Sequence, residues 1–324
     1  MEALNLCQPV DIELKANICI SIAECHYHLG EYRKALEGLE SCSGLEAGIN
    51  QEVKTKFLMV SGTLQVGMGQ FAKAKVTLNE LQGPDDVLDI HFCKALGLIE
   101  MGLFQMASAI LLTLKPQVKK LETSMDTCWK IQKAKYEALL GYCRLAMDDT
   151  KKDGMKDLEK SMELWDQVPK IKHSPDIIYA HIFIGEAKLK RRDYNSAYKY
   201  LEMGFKYFIQ MYNECLKYHP LYAKLTCLLG LVHIGEKDFT LAKEHFDEAL
   251  AMVNKLFEDN NEQLCPTLVW IHEGLAKVAY HCDKNTSKAK VELELACQMA
   301  QKVYPEDSDF LTGGLKKFLE SLET

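Results

Sequence analysis

Apolar residues along this chain gather on single helical faces, and no stretch alternates with a sustained period of two. The pattern therefore predicts helices and no strands. Between Lys135 and Met147 the residues Leu139, Leu140, Tyr142, Cys143 and Leu145 mark one such helix. Near the end, Leu311, Leu315, Phe318, Leu319 and Leu322 share a face of another, from Asp309 to Glu323. Prolines bound the helices: Pro84, Pro116, Pro169, Pro175, Pro220, Pro266 and Pro305 fall between them, and Pro9 precedes the first. Proline inside a helix costs roughly 3 kcal/mol, so this confinement supports the boundaries.

The pattern also repeats. Gly30-Glu31-Tyr32, Gly69-Gln70-Phe71 and Gly102-Leu103-Phe104 recur at spacings of 39 and 33, with Ala35, Ala74 and Ala107 three residues after each aromatic. In the second half Pro175, Pro220 and Pro266 lie 45 and 46 residues apart, and Ala197, Ala242 and Ala289 follow them by 22, 22 and 23. Tyr194, Phe239 and Thr286 stand three residues before these alanines. Small residues Ala23, Gly62, Ala95, Gly185 and Gly230 lie 12 positions ahead of five of the alanines. Glycine ends one helix because it takes the left-handed conformation without a Cβ penalty. The aromatic opens the next helix, and small residues on both let the antiparallel pair approach within the usual interaxial distance.

This signature resembles the tetratricopeptide repeat over residues 12–304. The resemblance implies an all-α fold, a right-handed α-solenoid of antiparallel helix pairs with about 14 helices. Three units resembling the standard form fill residues 1–128. A degenerate repeat with an insertion, the polar stretch Asp148 to Gly154, occupies 129–170. Three long units similar to those of kinesin light chains fill 171–304, and 305–324 forms a capping helix. The segment from His219-Pro220-Leu221-Tyr222 to Ala249-Leu250 also resembles the C-terminal helical domain of SET/MYND methyltransferases.

In the tetratricopeptide repeat the first helix of each pair lines a concave groove. Carried onto this chain, the resemblance implies an apolar strip of Ile20, Tyr27, Met59, Phe92, Leu96 and Ile99, with Asn17, Lys56 and Asp89 as polar neighbours. Such a strip suits an amphipathic helix or an extended apolar peptide. The other reading is that these side chains pack on one another as the superhelix tightens. Chaperone-binding repeats clamp a terminal carboxylate with Lys and Asn, where this chain has Ile20 and Glu24, so a carboxylate-clamp co-chaperone is not expected.

Composition narrows the function further. The net charge of −7 argues against general phosphate-backbone binding, so no nucleic acid is expected. No apolar run is long enough to cross a bilayer, and the first residues lack a signal-peptide pattern. The 12 cysteines are scattered without a Cys-x-x-Cys pair, which suits a reducing cytoplasmic or nuclear compartment. Cys25 and His28 lack a second ligand pair, so no metal is expected. Gly-rich phosphate loops and catalytic signatures are absent, and no cofactor is expected. The basic turn Lys188, Lys190, Arg191, Arg192 caps a helix end or meets an acidic partner. The expectation is a non-catalytic scaffold or adaptor that holds a partner segment. The alternatives are the helical part of a SET/MYND-like enzyme, which a longer chain carrying the catalytic motifs would revive, or a subunit of a microtubule, ciliary or cell-cycle assembly.

Overall fold

The computed structural model describes residues 12–42, 48–81, 87–122, 128–147, 152–168, 174–212, 218–257, 265–306, 308, 315 and 318. Among them lie 15 helices and no strand. Seven antiparallel hairpins follow one another. They are α1 (Ile12–His28) with α2 (Tyr32–Glu40), α3 (Gln51–Gly67) with α4 (Phe71–Glu80), and α5 (Leu88–Glu100) with α6 (Phe104–Thr113). Beyond the short α7 (Lys115–Leu121) come α8 (Cys128–Met147) with α9 (Lys152–Asp166) and α10 (Pro175–Lys190) with α11 (Tyr194–Tyr212). The last two are α12 (Pro220–Glu236) with α13 (Phe239–Leu256) and α14 (Pro266–His281) with α15 (Thr286–Val303). Each first helix also packs on the first helix of the next pair.

The hairpin turns explain the glycine signature. Gly30, Gly69 and Gly102 have φ of 74°, 68° and 74°, the left-handed region. In the first turn Gly30 N–H donates to the Tyr27 carbonyl and Glu31 N–H to that of His26, both at 2.9 Å, which closes the helix end. The fifth and sixth hairpins keep this geometry without glycine, and the seventh closes with a longer turn in which Asn285 N–H donates to the Ala279 carbonyl. Arg192, Lys237 and Lys284 take φ of 59°, 65° and 52°. The strain, about 1–2 kcal/mol for a residue with a Cβ, is offset by the next residue. Asp193, Asp238 and Asn285 each cap the following helix through Oδ1, accepting from Ser196, Leu241 and Lys288 N–H at 3.3, 3.1 and 2.9 Å. Such a cap contributes about 1 kcal/mol.

Within a hairpin the small residues make room for something other than the alanine 12 positions on. A Cβ on Gly62 would stand 2.7 Å from Leu78, one on Gly185 2.7 Å from Leu201, and one on Gly230 2.8 Å from Phe246. The bulky residue one turn beyond the alanine is the knob, and glycine is its socket. A second glycine, from the next hairpin, completes two of these sockets: Gly97 faces Leu78 and Gly274 faces Phe246, at 2.5 and 2.2 Å for an added Cβ. Leu78 and Phe246 therefore tie neighbouring hairpins as well as their own pairs.

The fourth hairpin follows the same logic. Gly141 and Gly154 meet so closely that a Cβ on Gly141 would lie 2.7 Å from the Gly154 carbonyl oxygen. Ser161, fully buried, donates to the Ala134 carbonyl at 2.8 Å. The expected loop is thus helix from Lys152 onward, because Gly154 supplies the close approach that alanine gives elsewhere; residues 148–151 lie outside the described ones. The prolines also need correcting. Pro175, Pro220 and Pro266 are the first residues of α10, α12 and α14, and Pro116 sits in the first turn of α7, where no amide donor is required. Of the expected capping helix, Leu315 and Phe318 are described and helical; the rest of Asp309 to Glu323 lies outside.

The row of hairpins returns to its start. The sixth meets the first, where His219 Nε2 lies 3.1 Å from the His28 carbonyl oxygen and Pro220 covers Gly30. The Tyr32 and Phe257 rings face each other at 6.4 Å. Past α15, Tyr304 packs 5.5 Å from Phe71, and Ser308 Oγ donates to the Met101 carbonyl at 2.7 Å. Among the described residues no helix is long and apolar enough to cross a membrane. Ten cysteines there are free thiols.

The knob-and-socket account predicts a coupled pair. Phe246→Ala should cost about 3–5 kcal/mol and Gly274→Leu about 1–3 kcal/mol by overpacking. The double variant should lose less than their sum, because the new leucine enters the vacated space. Strict additivity in denaturant titration would contradict the shared socket.

Candidate functional site

The turn of hairpins surrounds a cavity of 340 Å³. It crosses the first helices obliquely. The C-terminal ends of α1 and α3, the whole inner face of α5, and the N-terminal turns of α10, α12 and α14 all border it. Tyr32 of α2, Lys135, Ala138 and Leu139 of α8, and Tyr212, Leu256 and Phe257 at the ends of α11 and α13 also line it.

This obliquity decides where the expected groove residues fall. Tyr27, Met59, Phe92, Leu96 and Asp89 line the cavity. Ile20 and Ile99 do not; they are 3% and 2% exposed and belong to the core between hairpins, as the self-packing reading has it. Asn17 lies away from the lining and donates to the Glu13 carbonyl at 3.0 Å. Lys56 is exposed and pairs with Glu52 at 2.8 Å on the same helix. The basic turn of Lys188, Lys190, Arg191 and Arg192 lies outside the lining: Lys188 pairs with Asp193 at 3.5 Å, and Arg192 supplies the left-handed turn residue.

The lining also holds residues outside the expected groove strip: Tyr212, His219, Pro220, Phe257 and Trp270. Carrying one fixed set of helix positions through every repeat cannot find them, because the cavity shifts along each successive helix. The evenly spaced Pro175, Pro220 and Pro266 were the available signal, since each opens a helix at the cavity wall.

Two charge networks border the space. Lys224, almost fully buried, donates to both oxygens of Glu100 at 2.9 and 3.3 Å and lies 3.9 Å from Glu186 Oε1. Its ammonium also sits 5.2 Å from the centre of the Trp270 ring. The Tyr142 hydroxyl donates to Glu186 Oε2. Burial alone would push the Lys224 pKa down, but Glu100 and Glu186 outweigh it and hold the ammonium charged. For Glu186 burial wins over the pull of Lys224 and Tyr142, and its carboxyl is raised. At the other side, Lys135 bridges Asp176 at 3.0 Å and Asp89 at 3.4 Å, and Gln132 also donates to Asp89. Burial raises the Tyr27, Tyr32 and Tyr179 hydroxyls, which stay protonated. No group of three or more metal-ligating side chains occurs among the described residues.

His219 anchors the seam beside the cavity. Its Nδ1 accepts from Leu221 N–H at 3.1 Å, capping α12, so its proton is on Nε2, which donates to His28. Burial lowers its pKa to about 4. His181, stacked 5.2 Å from Tyr207 and buried, is likewise lowered to about 4.

No family model and no curated protein matches the chain. Among solved structures, the crystal structure of NprR in complex with its cognate peptide NprX is similar. It shares 12% sequence identity at a TM-score of 0.55, over 95% of this chain and 80% of that one. The likeness shows the fold: consecutive antiparallel helix pairs, tetratricopeptide-like, as in NprR.

The two histidines set a pH dependence. Their folded pKa of about 4 lies below the ordinary 6.5, so the unfolded chain binds more protons between those values. Their stabilising contribution is complete above pH 6.5 and is lost as pH falls toward 4, by at most about 1.4 kcal/mol per pH unit for each. His219→Asn keeps a capping acceptor but cannot reach His28. It should cost about 0.5–1.5 kcal/mol at pH 7 and flatten the acid slope by one proton. A slope unchanged from the parent's would refute this role for His219.

Proposed function

We propose that the cavity receives a short peptide segment, and that the chain works by holding this segment without altering it chemically. The observation that carries the reading is the cavity itself. It is bordered by aromatic and aliphatic side chains, with a few fixed charges, in the manner of a ligand site. NprR, of similar fold, was solved with a peptide bound. Tyr27, Met59 and Leu96 are the half-buried side chains placed to meet such a segment from three successive hairpins.

Trp270 lines the cavity and reports its occupancy once Trp129 and Trp165 are changed to phenylalanine. Random-sequence octapeptide pools should shift its fluorescence saturably. Met59→Phe with Leu96→Phe, which narrows the space, should weaken that response at least tenfold while the melting temperature stays near the parent's. No shift with any pool, or undiminished binding in the narrowed variant, would remove the proposal.

A further inference from the structure

Resting on that reading, we infer that the peptide held in the cavity is cationic, with Lys or Arg side chains set against the cavity's carboxylates. Among the described lining residues four are acidic, Glu24, Asp89, Glu100 and Asp176, and two are basic, Lys135 and Lys224. Four against two leaves two negative charges without a cation.

Neither lysine is available to an anionic ligand. Lys135 lies between Asp89 and Asp176, at 3.4 and 3.0 Å. Lys224 lies between Glu100 and Glu186, at 2.9 and 3.9 Å, with the Trp270 ring beside it. The Lys135 bracket holds two carboxylates and one ammonium, so it is one cation short. Glu186, behind the wall, is 8% exposed and its Oε1 accepts no hydrogen bond among the described residues; burial raises its carboxyl, so the surplus charge of the wall lies with Glu24, Asp89 and Asp176.

The remaining wall suits the same chemistry. Tyr27, Tyr32, Tyr179 and Tyr212 border the space, and aromatic faces attract ammonium and guanidinium groups. A low-dielectric wall strengthens the field of the surplus carboxylates. An acidic peptide would have to enter against that field and compete for lysines already paired.

The test uses three octapeptide pools of matched apolar content, with net charges of plus two, zero and minus two, read by Trp270 fluorescence. The cationic pool should bind at least tenfold more tightly than the anionic one, and the gap should shrink as salt is raised. Asp89→Asn with Asp176→Asn should weaken the cationic pool about tenfold and strengthen the anionic pool, because it frees Lys135. A gain in anionic binding cannot come from misfolding, so the variant stays informative. Glu24→Gln, on an exposed side chain, should weaken the cationic pool to a smaller degree without touching either bracket. Equal affinities, or an anionic preference, would overturn the inference while leaving peptide binding standing. Absence of binding by every pool would instead overturn the functional reading beneath it.

Discussion

Across 191 positions of sequence, the imidazole of His219 reaches the carbonyl of His28, and the cavity depends on that meeting. A solenoid whose units touch only their neighbours has open ends and a shallow groove. Here the sixth hairpin seats on the first, and the chain beyond α15 seats on the second and third through Tyr304 and Ser308. The groove becomes a walled space because the two ends of the turn share a seam. The seam is chemically modest, one hydrogen bond with aromatic and proline contacts. Its stiffness comes from the hairpins behind it, whose glycine sockets hold Leu78 and Phe246 between successive pairs.

The interior network ties the same parts together. Glu100 belongs to α5, Tyr142 to α8, Glu186 to α10 and Lys224 to α12, so four hairpins contribute to one cluster of buried charges. Burying charges costs desolvation that pairing only partly returns. The cluster is therefore better understood as fixing how the hairpins face one another than as a source of stability.

Much of the fold was legible in the residues. Gly30, Gly69 and Gly102 announced three turns because a left-handed residue favours glycine there, and the aromatics after them open helices as expected. The later turns were legible only through proline spacing, because Arg192, Lys237 and Lys284 take the left-handed place and the following Asp or Asn carries the cap. The fourth hairpin was hidden because Gly154 stands where the pattern has alanine. The site was legible in part. Tyr27, Met59, Asp89, Phe92 and Leu96 border the cavity, whereas Ile20 and Ile99 fall in the core. The groove positions of a single repeat cannot encode the drift along successive helices. The closing contacts of Phe257, His219 and Tyr304 are long-range, and no local pattern announces them.

Closure is the claim on which cavity, charge and ligand all rest, and a distance across the seam tests it. Leu29 and Tyr218 are exposed neighbours of the two seam residues, His28 and His219. Spin labels placed there as non-natural amino acids, which avoids the 12 native cysteines, allow that distance to be read by pulsed electron paramagnetic resonance. A single narrow short-distance population in the ligand-free protein is the result the closed turn predicts. A broad population at long distances, unchanged by His219→Asn, would show an open solenoid and contradict it.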